Sequence, residues 1–225
     1  VPRINALHPD FVVATGDLSG DGTAASYAHL RELLQPLGAP LHVCPGNHDD
    51  PEGLRALAPA LPPAPRHQAF EAGGHRFLLL DSTQPGEEAG RLGEAGLAWL
   101  AGALGRSSNL PTWLFLHHQP MPVYVRWIDR IGLLDGAPLL DLLARHPQVR
   151  GVGYGHVHLP RRWRYGPSLF LSAPALAFQV SPLSQEPEIT LDPPGFRLVE
   201  VGDGTIRDWR HYLDGRVVPE PVLPA

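Results

Sequence analysis

The sequence predicts an α/β fold, and three observations lead to that prediction. Short apolar runs rich in β-branched residues, such as residues 11–15 and 41–44, have the length and composition of buried strands. Between these two runs, alanines and leucines recur at helical spacing. A strand, a helix and a strand in this order form a right-handed βαβ unit by default. Polar residues directly follow several strands, which is typical of functional sites in α/β proteins.

Turn and cap signals delimit the elements in the first half of the chain. Residues 1–7 have the pattern of the last turns of a helix. Thr23 is a candidate N-cap for the next helix, which Pro36 stops. The Pro/Ala-rich residues 59–65 predict a surface connection, and the Gly-Gly pair at 73–74 predicts a hairpin turn. The predicted strands of this half are residues 11–15, 41–44, 68–71 and 76–80.

The second half continues the alternation and then changes to short strands with turns. Amphipathic patterns predict helices over residues 93–104 and 138–145. Residues 121–135 lack periodicity and predict a loop or lid beside the site, where Tyr124 and Trp127 either stack on a base or pack within the lid. The Pro-rich tail from residue 217 is expected to be loosely held. The predicted strands here are residues 113–116, 149–153, 161–165, 169–172, 196–201 and 205–212.

Composition limits the classes of function to consider. A chain of 225 residues with 43% hydrophobic and 18% charged residues predicts one globular domain. A net charge of −5 gives no electrostatic footprint for nucleic acid or an anionic membrane, and no apolar run is long enough to span a bilayer. The single cysteine, Cys44, excludes an internal disulfide framework and fits a reducing compartment, so we expect a cytoplasmic location. Twelve histidines direct attention to metal or acid–base chemistry.

Four strand ends carry potential metal ligands. If the strands are neighbours, these side chains converge on one edge of the fold. Aspartate, asparagine and histidine without cysteine suit a divalent ion such as Mn, Fe or Zn. A bridging carboxylate would hold two ions about 3.5–4 Å apart, as in two-metal phosphoryl-transfer sites. The candidate ligands are Asp17, Asn47, either His117 or His118, and the pair His156 and His158.

The motifs that contain these residues resemble those of calcineurin-like metallophosphoesterases in order and spacing. They are GD at 16–17, GNHD at 46–49, HHQP at 117–120 and GHVH at 155–158. Longer runs resemble the class III bacterial cyclic-nucleotide phosphodiesterases, including the cyclic-AMP phosphodiesterase group. These runs are TGDLSGDG, PGNHDD, LLLDST, AWLAGAL, FLHHQP, GYGHVHLP and PPGFRLVEV. The resemblance covers almost the whole chain.

The resemblance implies a four-layer α/β sandwich, in which two mixed β-sheets lie between helices. This domain would span residues 1–215, followed by a Pro-rich tail over 216–225. The implied activity is metal-dependent phosphodiester hydrolysis, with small cyclic nucleotides such as 3′,5′-cyclic AMP as leading substrates. A glycerophosphodiesterase or a broad-specificity phosphodiesterase is the alternative within this class. A catalytically silent metal-binding fragment is the alternative from another class.

Carried over residue by residue, the resemblance implies that Asp17 bridges the metals. Asn47, His117 and His156 would complete the ligands of one ion, and His158 would bind the other. His117 takes the ligand role because the family's ligand precedes the Pro-containing turn, with His118 as the open alternative. His48 would protonate the leaving group, and Asp49 would orient His48. A metal-bound hydroxide would attack phosphorus in line.

One motif of the family has no counterpart here. Its first strand ends in Asp-x-His, and no such pattern precedes Asp17. The first residue is Val1 and the only methionine is Met121, so some N-terminal sequence is expected to be absent. One ion would keep four ligands, whereas the other would keep only Asp17 and His158. We expect weak or no activity, one bound metal, or a homodimer formed through the exposed sheet edge.

Two further residues allow more than one interpretation. Asp81 stands at a strand end, where it is either a site carboxylate or a structural hydrogen-bond acceptor. Cys44 is expected to be a small buried hydrophobic residue rather than a nucleophile.

Overall fold

A computed structural model describes residues 1–59, 61–64, 66–106, 109–202 and 204–224. The helices are α1 (Pro2–Asn5), α2 (Ala24–Leu34), α3 (Pro51–Leu57), α4 (Gly93–Gly105), α5 (Arg126–Asp129) and α6 (Gly136–Ala144). The first eight strands are β1 (Val12–Ala14), β2 (Leu41–Val43), β3 (Gln68–Ala72), β4 (His75–Leu79), β5 (Thr112–Leu116), β6 (Val149–Tyr154), β7 (Arg162–Tyr165) and β8 (Ser168–Ser172). The last six are β9 (Gln179–Val180), β10 (Ile189–Thr190), β11 (Gly195–Gly202), β12 (Thr205–Tyr212), β13 (Val217–Pro219) and β14 (Leu223–Pro224).

A mixed sheet of six strands forms the centre of the fold, in the order β3-β4-β5-β6-β8-β7. The inner strands β4, β5, β6 and β8 pair in parallel, and β3 and β7 pair antiparallel at the two edges. Parallel neighbours end at the same edge of a sheet. The residues that follow β5 and β6 are therefore brought side by side.

A second layer of strands covers one face of this sheet. It consists of the parallel pair β1-β2 and the antiparallel group of β12 with β11, β13 and β14. Phe11 packs edge-on against Phe77, with ring centroids 4.7 Å apart, and Ile206 packs into the same cluster. In the described part of the chain β1 pairs only with β2. Its other edge is thus open, as the resemblance implies.

Helices cover the two outer faces. Tyr27 from α2 and Leu54 from α3 pack on Val43 of β2, whereas His42 points the other way and stacks on Phe70 of β3. The period-two alternation of β2 therefore separates the helical layer from the space between the sheets. On the far side, α4 and α6 pack on the six-stranded sheet through buried leucines. Helix, strand, strand and helix layers confirm the expected four-layer α/β architecture.

Several elements differ from the sequence prediction. Helix α3 was not predicted, although Asp50 caps it by accepting hydrogen bonds from the Glu52 and Gly53 N–H groups. Residues 121–135 contain α5 and contribute buried side chains, among them Val125 and Ile128, so part of this segment belongs to the core instead of a free lid. The predicted surface connection at 59–65 includes residues 60 and 65, which lie outside the described residues. Within the described ranges, no helix is both long and apolar enough to cross a membrane.

The expectation that the tail is loosely held is wrong. Strands β13 and β14 both pair with β12, and Leu223 packs between the two layers of strands. Pro219 is tolerated in β13 because proline fits an edge strand that needs no further N–H donor. The domain boundary at residue 215 stays a prediction, and residue 225 lies outside the described ranges.

A buried cluster of charges ties the tail and the two layers of strands together. The Asp208 carboxylate on β12 is buried and accepts from Arg197 on β11 and, at 3.0 Å, from Arg162 on β7. The Arg162 guanidinium also donates to the Pro221 carbonyl at 2.6 Å. Arg197 donates through Nε to the Ser172 carbonyl at 3.0 Å. Removing this carboxylate would leave the Arg162 guanidinium without its charge partner and Arg197 with only the more distant Glu220, at 3.9 Å.

We expect Asp208→Ala to lower the free energy of unfolding by about 3–5 kcal/mol, the usual cost of breaking a buried ion pair from one side. Urea denaturation followed by circular dichroism measures this. Asp214→Ala is the matched control, because it removes an exposed Asp214–Arg216 pair and should change stability far less. Equal losses in the two variants would contradict the role given to the buried cluster.

Candidate metal centre

Four of the five predicted ligands meet at the strand ends. His117 Nε2 lies 3.0 Å from Asn47 Oδ1, 3.2 Å from Asp17 Oδ2 and 3.1 Å from His156 Nδ1. His156 Nδ1 is also 3.1 Å from Asn47 Oδ1. These residues follow β1, β2, β5 and β6, so the side chains converge from four separate segments, as the sequence predicted.

Hydrogen bonding assigns His117, not His118, to the centre of this cluster. His117 Nδ1 donates to the Thr15 carbonyl at 2.7 Å, which leaves its Nε2 lone pair facing the other ligands. His118 Nε2 donates to the Glu88 carbonyl at 3.0 Å, and its Nδ1 accepts from the Ser82 hydroxyl at 2.8 Å. Nitrogens of His117, His118 and His156 lie within 4.8 Å of one another, yet both nitrogens of His118 are already bound to protein groups.

The cluster consists of acceptors with too few donors among them. The Asp17 carboxylate, the Asn47 carbonyl oxygen and the His117 lone pair face one another, and His156 can place a proton on only one of its two nitrogens. His156 Nε2 is buried and has no hydrogen-bond partner in the part of the chain that the structure describes. Buried acceptors without partners are costly, and a divalent cation satisfies oxygen and imidazole ligands of this type. The residues therefore fit a metal ion.

The backbone at the ligands is held in unusual conformations. Asp17, His156 and His158 have positive φ angles of 54°, 64° and 47°. Such angles are unfavourable for residues other than glycine, and they cluster at functional sites where the surrounding structure enforces them. Gly46 permits the close approach of the two loops, because a Cβ there would overlap the backbone nitrogen and the carboxylate of Asp17.

Burial is the main reason that His118 and His156 stay neutral. Burial, followed by the charges of His117 and His118, lowers the pKa of His156 to about 2. Burial and then the charge of His117 lower the pKa of His118 to about 3. Burial raises the pKa of Asp17, but the adjacent His117 and the hydrogen bond from the His48 N–H outweigh this and hold that pKa well below its usual range. An ionised Asp17 carboxylate and a neutral His156 imidazole are in the protonation states that metal binding requires.

The two predicted catalytic residues have different surroundings. His48 is exposed, and its backbone N–H donates to Asp17 Oδ1 at 3.0 Å, which fixes this residue beside the cluster. Asp49 is partly buried and accepts from the Leu18 N–H at 2.8 Å, the Gly46 N–H at 2.9 Å and the Tyr27 hydroxyl at 2.8 Å. Its carboxylate braces the two ligand loops and makes no hydrogen bond with the His48 side chain. The orientation of His48 by Asp49 stays a prediction, and the contacts of Asp49 indicate that it would act by holding the loop that carries His48.

The fifth predicted ligand, His158, has its own hydrogen-bond partner. Its Nδ1 donates to the Phe178 carbonyl at 3.0 Å, so the lone pair is on Nε2. Burial is the dominant influence on His158 and lowers its pKa, whereas the bond to the Phe178 carbonyl and the charge of Asp17 act in the opposite direction. No contact joins His158 directly to the four-residue cluster among the described hydrogen bonds.

Some residues that shape the site were missed from the sequence. The Thr15 carbonyl, the Ser82 hydroxyl and the Tyr27 hydroxyl all position ligands or ligand loops. Of these, only Ser82 carried a signal, since it stands at a strand end next to Asp81. Asp81 itself accepts from the Thr83 hydroxyl at 2.6 Å, which favours the structural interpretation of this carboxylate.

The fold and the ligand cluster together define a class of protein. Comparison with known families identifies this class. A family model described as calcineurin-like phosphoesterase matches residues 1–160. The chain belongs to the calcineurin-like phosphoesterase family.

Individual relatives of named function are similar to this chain over most of its length. A protein of Synechococcus sp., named as a probable cyclic nucleotide phosphodiesterase, is 40% identical over 207 residues, which cover 92% of this chain and 78% of that protein. The 3′,5′-cyclic adenosine monophosphate phosphodiesterase CpdA of Pseudomonas aeruginosa is 36% identical over 204 residues, covering 90% and 72% of the two chains. The glycerophosphodiester phosphodiesterase GpdQ of Enterobacter lignolyticus is 34% identical over 188 residues, covering 80% and 68%.

A solved structure supports the architecture independently. The crystal structure of a dimetal phosphatase from Danio rerio superimposes with a TM-score of 0.71, covering 98% of this chain and 87% of that one. At 16% sequence identity, this likeness concerns the fold alone.

Metal titration distinguishes the two adjacent histidines. We expect His117→Ala to weaken manganese binding by at least about tenfold, because it removes a ligand whose lone pair faces the cluster. His118→Ala should weaken binding less, since its nitrogens bond to protein groups. Isothermal titration calorimetry measures both affinities. A larger loss in His118→Ala than in His117→Ala would contradict the assignment.

The lowered histidine pKa values predict how stability depends on pH. Between pH 6.5 and about 3, the unfolded chain binds protons that folded His118 and His156 do not, so the free energy of unfolding of the metal-free chain should fall as pH falls through this window. The lowered pKa of Asp17 contributes stability that is lost only at lower pH, below about 4. Urea denaturation in chelator at pH 7, 6 and 5 measures the slope. His118→Gln should reduce this slope, because it removes one of the two groups responsible for it.

Proposed function

We propose that this chain is a metal-dependent phosphodiesterase whose leading substrates are cyclic nucleotides such as 3′,5′-cyclic AMP. The observation that carries the proposal is the acceptor cluster of Asp17, Asn47, His117 and His156 with the exposed His48 beside it. Divalent metal use agrees with membership of the family, and the names of the Synechococcus and Pseudomonas relatives support the choice of substrate.

Each residue of the site has a proposed role. One divalent ion would be held by Asp17, Asn47, His117 and His156. His158 would be a ligand of the other ion, on the opposite side of Asp17. When bound, the ion supplies an activated water and positive charge that stabilises the developing charge on the phosphate. His48, held next to Asp17 by its backbone N–H, donates a proton to the leaving oxygen. Asp49 keeps the His48 loop in place through Gly46 and Tyr27.

A glycerophosphodiesterase is the second candidate, and the similarity to GpdQ favours it. The same acceptor cluster serves either substrate, because the reacting group is a phosphodiester in both. The two candidates differ only in the organic group that the surface around the cluster must accommodate. We also propose a cytoplasmic location, with which the free, buried thiol of Cys44 agrees. Pairing with a second copy stays a prediction.

We expect His48→Ala to lower kcat for cyclic AMP by about 10²- to 10⁴-fold, the usual contribution of a general acid, without changing the bound metal. Hydrolysis of cyclic AMP and of bis-p-nitrophenyl phosphate with added manganese measures this. Exposed His29→Ala is the matched control and should keep the parent rate. No turnover of either substrate, with His48→Ala equal to the parent, would favour a catalytically silent metal-binding protein.

The ligand set predicts the metal content of residues 1–225. Asn47, His117 and His156 converge on one side of Asp17, whereas His158 is the single further imidazole proposed for the other side. We therefore expect one tightly bound ion per chain after purification in manganese, measured by inductively coupled plasma mass spectrometry. Two tightly bound ions per chain would contradict this expectation.

A further inference from the structure

The segment around Phe178 is fastened to the predicted ligand His158 from both directions. His158 Nδ1 donates to the Phe178 carbonyl at 3.0 Å, and the Val180 N–H donates back to the His158 carbonyl at 3.0 Å. These two bonds fix the position of the intervening residues relative to the imidazole. The segment therefore has a fixed position at the edge of the proposed metal site.

Gln179 holds the preceding loop closed. Its side-chain amide accepts from the Ala175 N–H at 3.1 Å and donates to the Ala175 carbonyl at 2.8 Å. The Gln179 side chain is buried, and β9 pairs with β10 next to it. A buried amide with two reciprocal backbone bonds keeps residues 175–179 in one conformation. Phe178 is thus presented on a fixed loop.

The Phe178 ring is both exposed and in contact with His158. The two ring centroids are 4.4 Å apart with a tilt of 49°, while 41% of Phe178 remains exposed. Its neighbour Leu176 is 66% exposed. An apolar surface therefore lies open to solvent beside an imidazole that the proposed function assigns to the metal site.

The two aromatic residues considered from the sequence are less suited to this position. Trp127 packs against the core under the six-stranded sheet. Tyr124 is 77% exposed, but its aromatic neighbour is Trp163, at 6.1 Å, and it has no described contact with a predicted ligand. Phe178 is the exposed aromatic ring that contacts one.

We propose that Phe178 determines substrate specificity by forming the wall against which the organic group of the phosphodiester packs. This inference rests on the proposed phosphodiesterase function and adds to it a residue that selects the substrate class. A nucleobase or another planar aromatic group can stack on an exposed phenyl ring, whereas a glycerol or ethanolamine group cannot. Phe178 therefore favours nucleotide diesters over glycerophosphodiesters.

The test compares two diesters that differ in the presence of a ring. The kcat/KM values for cyclic AMP and for glycerophosphoethanolamine are measured with manganese in the parent, Phe178→Ala, Phe178→Tyr and Leu183→Ala. Because base–aromatic stacking contributes about 1–3 kcal/mol, Phe178→Ala should lower kcat/KM for cyclic AMP by about tenfold, mainly through KM. Its value for glycerophosphoethanolamine should stay within about twofold of the parent.

Two variants and one measurement separate this role from a purely structural one. Phe178→Tyr keeps the ring and should keep the preference, and Leu183→Ala, at a 90% exposed position of the same region, should behave as the parent. Phe178→Ala retains the carbonyl that holds His158, so its metal content should equal that of the parent. Equal losses for both diesters in Phe178→Ala, or no loss for cyclic AMP, would overturn the proposal.

A binding measurement keeps the inference testable if the parent hydrolyses neither diester, the result that would instead overturn the proposed function. The affinities for adenosine 5′-monophosphate and for inorganic phosphate are then compared by calorimetry in the presence of manganese. If Phe178→Ala binds adenosine 5′-monophosphate more weakly than the parent but inorganic phosphate equally well, the role of Phe178 as a wall of the substrate site is supported. Unchanged nucleotide affinity would refute it.

Discussion

The site depends on one electrostatic constraint, namely that oxygen and nitrogen acceptors from four strand ends face one another at about hydrogen-bond distance. His117 Nε2 lies 3.0–3.2 Å from acceptor atoms of Asn47, Asp17 and His156, and the Thr15 carbonyl takes the one proton that His117 has to give. Such an arrangement is unfavourable for the bare protein. The surrounding structure enforces it through left-handed backbone at Asp17 and His156 and through the hydrogen bonds that Asp49 accepts from both loops. The rigid four-layer scaffold thus maintains a charge arrangement that a cation completes.

Much of this scaffold follows from local signals in the sequence, because many of its strands are apolar runs and its longer helices have apolar residues at helical spacing. The elements that escaped prediction have short or ambiguous patterns. Strands β9 and β10 contain two residues each, too few for a period-two pattern to register. The tail is rich in proline, which argues against strands, yet Leu223 gains burial between the layers and Glu220 lies 2.8 Å from Arg210. Tertiary contacts decide the conformation of such segments, and these contacts cannot be inferred from a single sequence.

Within the site, too, local sequence signals predicted some features, whereas features that depend on tertiary contacts needed the structure. Residue types and their order at strand ends predicted the ligand cluster, because parallel strands place their carboxyl ends together. The choice between His117 and His118 needed the structure, since it depends on which carbonyl or hydroxyl each nitrogen meets: Thr15 for one residue, Ser82 and Glu88 for the other. The actual partners of Asp49 were hidden for a similar reason, because they come from Leu18, Gly46 and Tyr27, up to 31 positions away in the chain.

A division of roles between the ligand cluster and its border explains how one scaffold serves different diesters. In the proposed function the cluster holds a metal ion that acts on the phosphate, so its residues place no restriction on the attached organic group. The relatives named as a cyclic AMP phosphodiesterase and as a glycerophosphodiester phosphodiesterase are 36% and 34% identical to this chain, nearly the same value. Overall similarity therefore does not distinguish the two substrates. Selection must depend on a few side chains that border the phosphate, and a fixed, exposed ring such as that of Phe178 can favour a planar base without altering any group that binds the metal.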